Sequence, residues 1–334
     1  MHTFLGPIFY IFSAFFHKTL VKCNVLASVW RRLCLMRGKA YKPNTGLFTQ
    51  KNEALGGKKM QLGISTWVYM ARTIEEAATR IRGEGIRLVE LWGDTSTHLD
   101  PVTRPRERAE EVAVVLRALD MKPVSLHAPF SGLDLSSPDK TQRAASVNAV
   151  LRSVEFCRDV KCPQIVVHVS ASPGVKSQAA LDRRREYAVD ALQEITASAK
   201  KSGVEVLLEN MVIHANYLRL GSEVEALLDL VARFSGEGVG ICIDTGHSFL
   251  NKQNPSEDIR KAGKHLRSLH INDNDGVQDR HWVPGRGGID WPAVSSALRE
   301  VKYGGVFLLE IYGFDVVRET IGRATAFSRR LLGR

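Results

Sequence analysis

Four stretches decide the fold: VEVLLEN (204–210), VGICIDTGH (239–247), LRSLHIN (266–272) and GVFLLEI (305–311). Each contains a short apolar run that reaches a polar residue at its C-terminal end, namely Glu209, Asp244, His270 and Glu310. Short apolar runs bounded by turn signals read as strands covered on both faces, as in a parallel sheet wrapped by helices. A carboxylate closing such a strand is costly to desolvate unless a cation or a hydrogen-bond partner meets it. Its recurrence on neighbouring strands argues for a metal.

The same pattern extends upstream. Strands are predicted at 60–66, 86–92, 122–127, 164–169, 204–209, 239–244, 266–271 and 305–311. Helical periodicity separates and follows them at about 73–84, 105–120, 139–160, 177–202, 222–235, 256–264, 291–302 and 315–333. Strict β-then-α alternation, repeated eight times without a linker, predicts an α/β fold: one (β/α)8 TIM barrel over residues 60–334. In such a barrel the C-terminal strand ends converge on the face that carries the active site. His127 and His168 also lie at predicted strand ends and join that face.

The 334 residues are 44% hydrophobic and 25% charged, a globular composition. The net charge of +10 is not spread along the chain. Residues 1–59 hold ten Lys and Arg against the single acid Glu53, a balance of +9, which leaves +1 for the remainder. A near-neutral body lacks the basic footprint of phosphate-backbone binding, so nucleic acid is disfavoured as a partner. Five cysteines without a CxxC pair suggest neither a disulfide framework nor a thiolate zinc site, and fit free thiols in the cytoplasm.

Residues 1–59 read as a basic leader outside the barrel. Phe4–Phe16 is a thirteen-residue apolar run, short for a membrane span and near the length of a signal-peptide core. Met60 directly precedes the first strand, so the leader is read as a disordered extension, a start-site artefact or a targeting segment. No integral membrane segment is expected in the barrel.

Three carboxylates and one imidazole form an oxygen-rich set suited to one divalent ion: Mn²⁺, Mg²⁺, Co²⁺ or Zn²⁺. Glu90, His127 and His168 are candidates for touching substrate or orienting a ligand. Trp67 and Trp92 are candidates for stacking on a ligand face, and Arg286 in VPGRGGID for meeting a substrate anion.

Together LLEN (207–210), DTGH (244–247), LHINDND (269–275), DRHWVPGRGGID (279–290) and LLEIYG (308–313) resemble the sugar phosphate isomerase/epimerase superfamily of xylose isomerase-like barrels. That superfamily also contains endonuclease IV. The resemblance implies that Glu209, Asp244, His270 and Glu310 hold the metal, with Glu209 and Glu310 as the catalytic proton-transfer pair. It implies an isomerase or epimerase working through an enediolate on a ketose, sugar phosphate or related polyol ketone, with His247 contacting a substrate hydroxyl. Two alternatives accompany it. One is a lyase of the inosose dehydratase type. The other is a three-zinc endonuclease IV-like enzyme, in which His127, His168, His247, Asp279 and His281 would complete a nine-ligand set. Asp279 and His281 are therefore also candidate metal ligands. The sequence leaves oligomeric state open, a homo-oligomer included.

Overall fold

The computed structural model describes residues 60–94, 98–171, 173–234, 238–312 and 317–332. The leader at 1–59 lies outside the described residues. Eight parallel strands run β1 (Gln61–Ser65), β2 (Leu88–Trp92), β3 (Lys122–His127), β4 (Gln164–Val167), β5 (Glu205–Glu209), β6 (Val239–Asp244), β7 (Leu266–His270) and β8 (Val306–Leu309). Their order in the sheet is β7-β6-β5-β4-β3-β2-β1-β8. β7 and β8 meet through the Ile271–Leu309 bridge, where the Ile271 N–H donates to Leu308 O (2.8 Å) and the Glu310 N–H donates to Ile271 O (3.0 Å). This brings the sheet almost to closure as a TIM barrel.

The helices are α1 (Ile74–Gly83), α2 (Pro105–Ala118), α3 (Lys140–Val160), α4 (Gln178–Ser202), α5 (Val224–Ala232), α6 (Thr245–Leu250), α7 (Pro255–Ala262), α8 (Trp291–Glu300) and α9 (Val317–Leu331). Side chains that satisfy otherwise orphaned N–H groups fix several of their starts. Thr73 caps α1, Asp139 caps α3, Ser177 caps α4, Asn254 caps α7 and Asp290 caps α8. Gly203 ends α4 in the left-handed region at φ 68°, the usual glycine stop before a strand. Among the described residues, no helix is long and apolar enough to cross a membrane.

Three local differences from expectation bear on the site. β4 stops at Val167 and β8 at Leu309, so His168 and Glu310 lie just beyond their strands. The third difference is α6, which begins directly after β6. Asp244 is both the last residue of β6 and the cap of α6, its Oδ1 accepting the His247 N–H at 2.7 Å. His247 therefore sits in a helical first turn rather than in an open loop.

Candidate metal centre

Alternation along short parallel strands sends every second side chain into the barrel, and the last one emerges at the C-terminal mouth. β5, β6 and β7 deliver Glu209, Asp244 and His270, and the residue after β8 delivers Glu310. All four are buried, Glu310 the least so at 4% exposed. Each offers one ligand atom, and the four atoms lie within 4.8 Å of one another. Glu209 is the hub: its Oε1 lies 2.9 Å from His270 Nδ1, while its Oε2 lies 3.1 Å from His168 Nε2 and 3.3 Å from His127 Nε2. His270 Nδ1 is also 3.2 Å from Glu310 Oε2.

The other histidines close around this core. His247 Nε2 is 3.4 Å from Asp279 Oδ2, and His281 Nε2 is 3.3 Å from Asp279 Oδ1. Three further groups share residues with the first: His127, His168 and Glu209; His127, His270 and Glu310; and Asp244, His247 and His281. All nine residues singled out from the sequence as metal ligands therefore converge on one mouth of the barrel.

Ring orientation is set by what each histidine can donate to. A carbonyl oxygen only accepts, so a ring nitrogen beside one must carry a proton. His127 Nδ1 faces Ala128 O at 3.0 Å, His247 Nδ1 faces Asn210 O at 2.7 Å and His281 Nδ1 faces Glu310 O at 2.9 Å. Each of these rings thus turns its Nε2 towards the carboxylates. His281 is held at φ 45°, unusual for a residue with a side chain, and its carbonyl accepts the Tyr312 N–H at 2.8 Å.

Sequence reading missed the residues that hold Asp244. The Asn210 side chain bridges to the Asp244 backbone, accepting its N–H at 2.6 Å and donating to its carbonyl at 3.0 Å. Asn272 Nδ2 donates to Asp244 Oδ2 at 2.7 Å. Gly246 is required here by close approach, because a Cβ would lie 1.9 Å from Asn272 Oδ1. Asp273, also missed, is fully buried and shapes the loop that carries Asp279 and His281. The only signal for these residues was their place next to a ligand, in LLEN and HINDND.

The remaining candidates divide. Half-buried Trp67 packs at the rim, its ring 4.5 Å from His281 and 5.0 Å from Tyr312 between centroids. Trp92 is buried behind it. Glu90 is fully buried, its Oε2 2.8 Å from the Ser125 hydroxyl and 3.0 Å from His270 Nε2. Arg286 is exposed and lies over Trp282 at 4.5 Å; no ion pair joins it to the carboxylate cluster among the described residues.

Residues 78–331 match the family model described as the xylose isomerase-like TIM barrel. The chain belongs to this family. A D-psicose 3-epimerase of Enterocloster bolteae is 28% identical over 65% of this chain and 68% of its own length. A "Probable endonuclease 4" of Persephonella marina is 26% identical over 56% of this chain and 70% of its own length. In fold, a D-tagatose 3-epimerase-like protein superposes with a TM-score of 0.71 at 23% identity, covering 82% of this chain and 97% of that one.

The xylose isomerase-like barrel places an unusual charge demand at its mouth. Among the described residues, every ion pair of Glu209 and Glu310 is with a histidine, never with Lys or Arg. Burial raises Glu310 to about 7, with Glu209 and Asp244 adding repulsion against the pull of His270 and His281. Burial acts on Glu209 too, but the charge of His270 and hydrogen bonds from His127, His168 and His270 hold it well below the carboxylate range. Burial disfavours charge on His127 and His281, yet the neighbouring acids, Glu209 for one and Asp279 for the other, lift both to about 9. His168 goes the other way, to about 4, because burial and the adjacent His127 charge outweigh Glu209. Buried carboxylates whose ionic partners are imidazoles rather than Lys or Arg form a donor set suited to a divalent cation. The residues fit a divalent cation.

Proposed function

We propose that this protein is a divalent-metal-dependent isomerase or epimerase of a ketose, sugar phosphate or related polyol ketone. The observation that carries the reading is the convergence of Glu209, Asp244, His270 and Glu310, with one ligand atom from each within 4.8 Å of the others. Three carboxylates and one imidazole would hold Mn²⁺, Mg²⁺, Co²⁺ or Zn²⁺. When bound, such an ion would supply the positive charge that stabilises the oxyanion formed from a carbonyl oxygen when the neighbouring C–H loses its proton.

The chain's own residues supply the rest. Glu209 and Glu310 approach the centre from the separate strands β5 and β8, so that one can take a proton from carbon and the other return it. Return to the same carbon gives epimerisation, and return to the neighbouring carbon gives isomerisation. His247 is positioned to contact a substrate hydroxyl, with His127 and His168 on the opposite side. Trp67 and Tyr312 offer an aromatic rim against which a sugar face can pack. If the accepted proton is followed by loss of a hydroxyl, the same centre serves a lyase. The D-psicose 3-epimerase relative supports the sugar reading.

One observation favours a second reading. The flanking groups His127–His168–Glu209 and Asp244–His247–His281 each have the composition of a further metal site. Filled with zinc, they would make a polynuclear hydrolytic centre for a phosphodiester, the chemistry named for the endonuclease 4 relative. Metal analysis of the protein, with assays on a ketose panel and on abasic-site DNA, separates the two. About one ion per chain with solvent deuterium entering the ketose supports the first. About three zinc ions with strand cleavage would overturn it.

A further inference from the structure

Among the four core ligands, His270 is the one whose ring is anchored by a carboxylate. His127, His247 and His281 each rest their Nδ1 on a backbone carbonyl and present Nε2. His270 is reversed: its Nε2 lies 3.0 Å from Glu90 Oε2, and its Nδ1 faces Glu209 and Glu310. Glu90 reaches it from β2, a strand not adjacent to β7 in the sheet. Glu90 is 0% exposed, its Oε2 also accepts the Ser125 hydroxyl at 2.8 Å, and its Oε1 has no hydrogen-bond partner among the described residues.

We infer that Glu90 is the positioning residue of the metal centre: it takes the Nε2–H of His270 and so commits Nδ1, not Nε2, to the ion. The inference rests on the metal reading above. Burying a carboxylate with one oxygen unpartnered costs several kcal/mol unless a charged or strongly polarised donor compensates. The compensating donor here is the His270 ring, and a ring polarised by a carboxylate is a more basic ligand. Among the described residues, His270 Nε2 meets the Glu90 carboxylate rather than a backbone carbonyl. Ser125 fixes the geometry from the adjacent strand and leaves Glu90 a single orientation.

The test uses Zn²⁺ as the probe with the full chain. In ¹⁵N-labelled, Zn²⁺-loaded wild-type protein, long-range ¹H–¹⁵N spectra should show Nδ1 of His270 as the metal-bound nitrogen and Nε2 as protonated. The Glu90→Gln variant keeps the shape and loses the charge, so its Zn²⁺ affinity in a chelator competition should fall about 10- to 100-fold. Ser125→Ala, the milder change, should lower affinity by a smaller factor and keeps the question answerable if the first variant does not fold. Zn²⁺ bound through Nε2 of His270, or wild-type affinity in both variants, overturns the inference while leaving the metal reading intact. No Zn²⁺ uptake by the wild type removes the metal reading itself, and the inference with it.

Discussion

Replacing Asp273 with Asn should destabilise the protein by about 3–5 kcal/mol and loosen the loop that carries Asp279 and His281. Asp273 is fully buried, and its carboxylate accepts five N–H groups. Oδ1 takes Asn274 N (3.0 Å) and Ile289 N (3.3 Å); Oδ2 takes Gly285 N (2.8 Å), Gly287 N (3.0 Å) and the Trp291 indole (2.9 Å). An amide has one acceptor oxygen. Its better orientation keeps the three donors at Oδ2 and turns an NH₂ towards the other two. Each buried donor left without an acceptor costs about 1–3 kcal/mol, and the three retained bonds lose their charge assistance. The pocket cannot relax around the change, since a Cβ at Gly287 would already lie 2.1 Å from Asn274 O. Urea unfolding at fixed pH measures the loss, and amide exchange at Gly285 and Gly287 locates it. The same variant should lose any metal bound through His281 before it loses metal at Glu209. A change below about 1 kcal/mol with unchanged exchange at both glycines would refute the assignment of Asp273 as the organiser of this loop.

Three further outcomes are expected. Glu209→Gln and Glu310→Gln should each abolish solvent-deuterium exchange into the substrate ketose; persistence of exchange in both would refute their role as the proton-transfer pair. The metal-free protein should lose stability as pH rises. Glu310, raised to about 7, favours the fold only while protonated, so its contribution is lost from about 4.5 to 7. His127 and His281, raised to about 9, favour it while charged and lose that contribution between about 6.5 and 9. His168, lowered to about 4, opposes this trend, its stabilisation being lost as pH falls from about 6.5 to 4. Thermal melts without metal should therefore stay near level over pH 5–6.5, where Glu310 and His168 oppose each other, fall over pH 6.5–9, and flatten with saturating Zn²⁺; a melting temperature that rises over pH 7–9 without metal contradicts this. Gly246→Ala should push Asn272 away from Asp244 and weaken metal binding by about tenfold or more, although alanine favours the α6 helix by about 0.5–1 kcal/mol; unaltered affinity by isothermal titration would count against Asn272 as the support of Asp244.

The barrel was legible in the sequence because its signals are local. A β-branched run followed by a helical period announces each unit, and repetition leaves few topologies open. Glu209, Asp244, His270 and Glu310 were legible for the same reason: a polar residue ending an apolar strand advertises its desolvation cost wherever the strand lies. Helix α6 was not legible, because six residues cannot display a helical period and this helix depends on Asp244 turning back as its cap. Glu90 was legible as a candidate for orienting a ligand, but its partner His270, 180 residues away along the chain, was not; nor was the place of Asp273, one acid among several in HINDND. Arg286 was offered by its glycine-rich loop as a candidate for meeting a substrate anion; that it lies over Trp282, a contact between neighbours in one loop, is something periodicity does not encode. The four candidate ligands at the barrel mouth were thus legible in the sequence itself. Which nitrogen each histidine presents, and which buried groups hold the ligands still, was decided only by the tertiary structure, because those hydrogen bonds join strands and loops that the chain brings together only when the sheet curls towards closure.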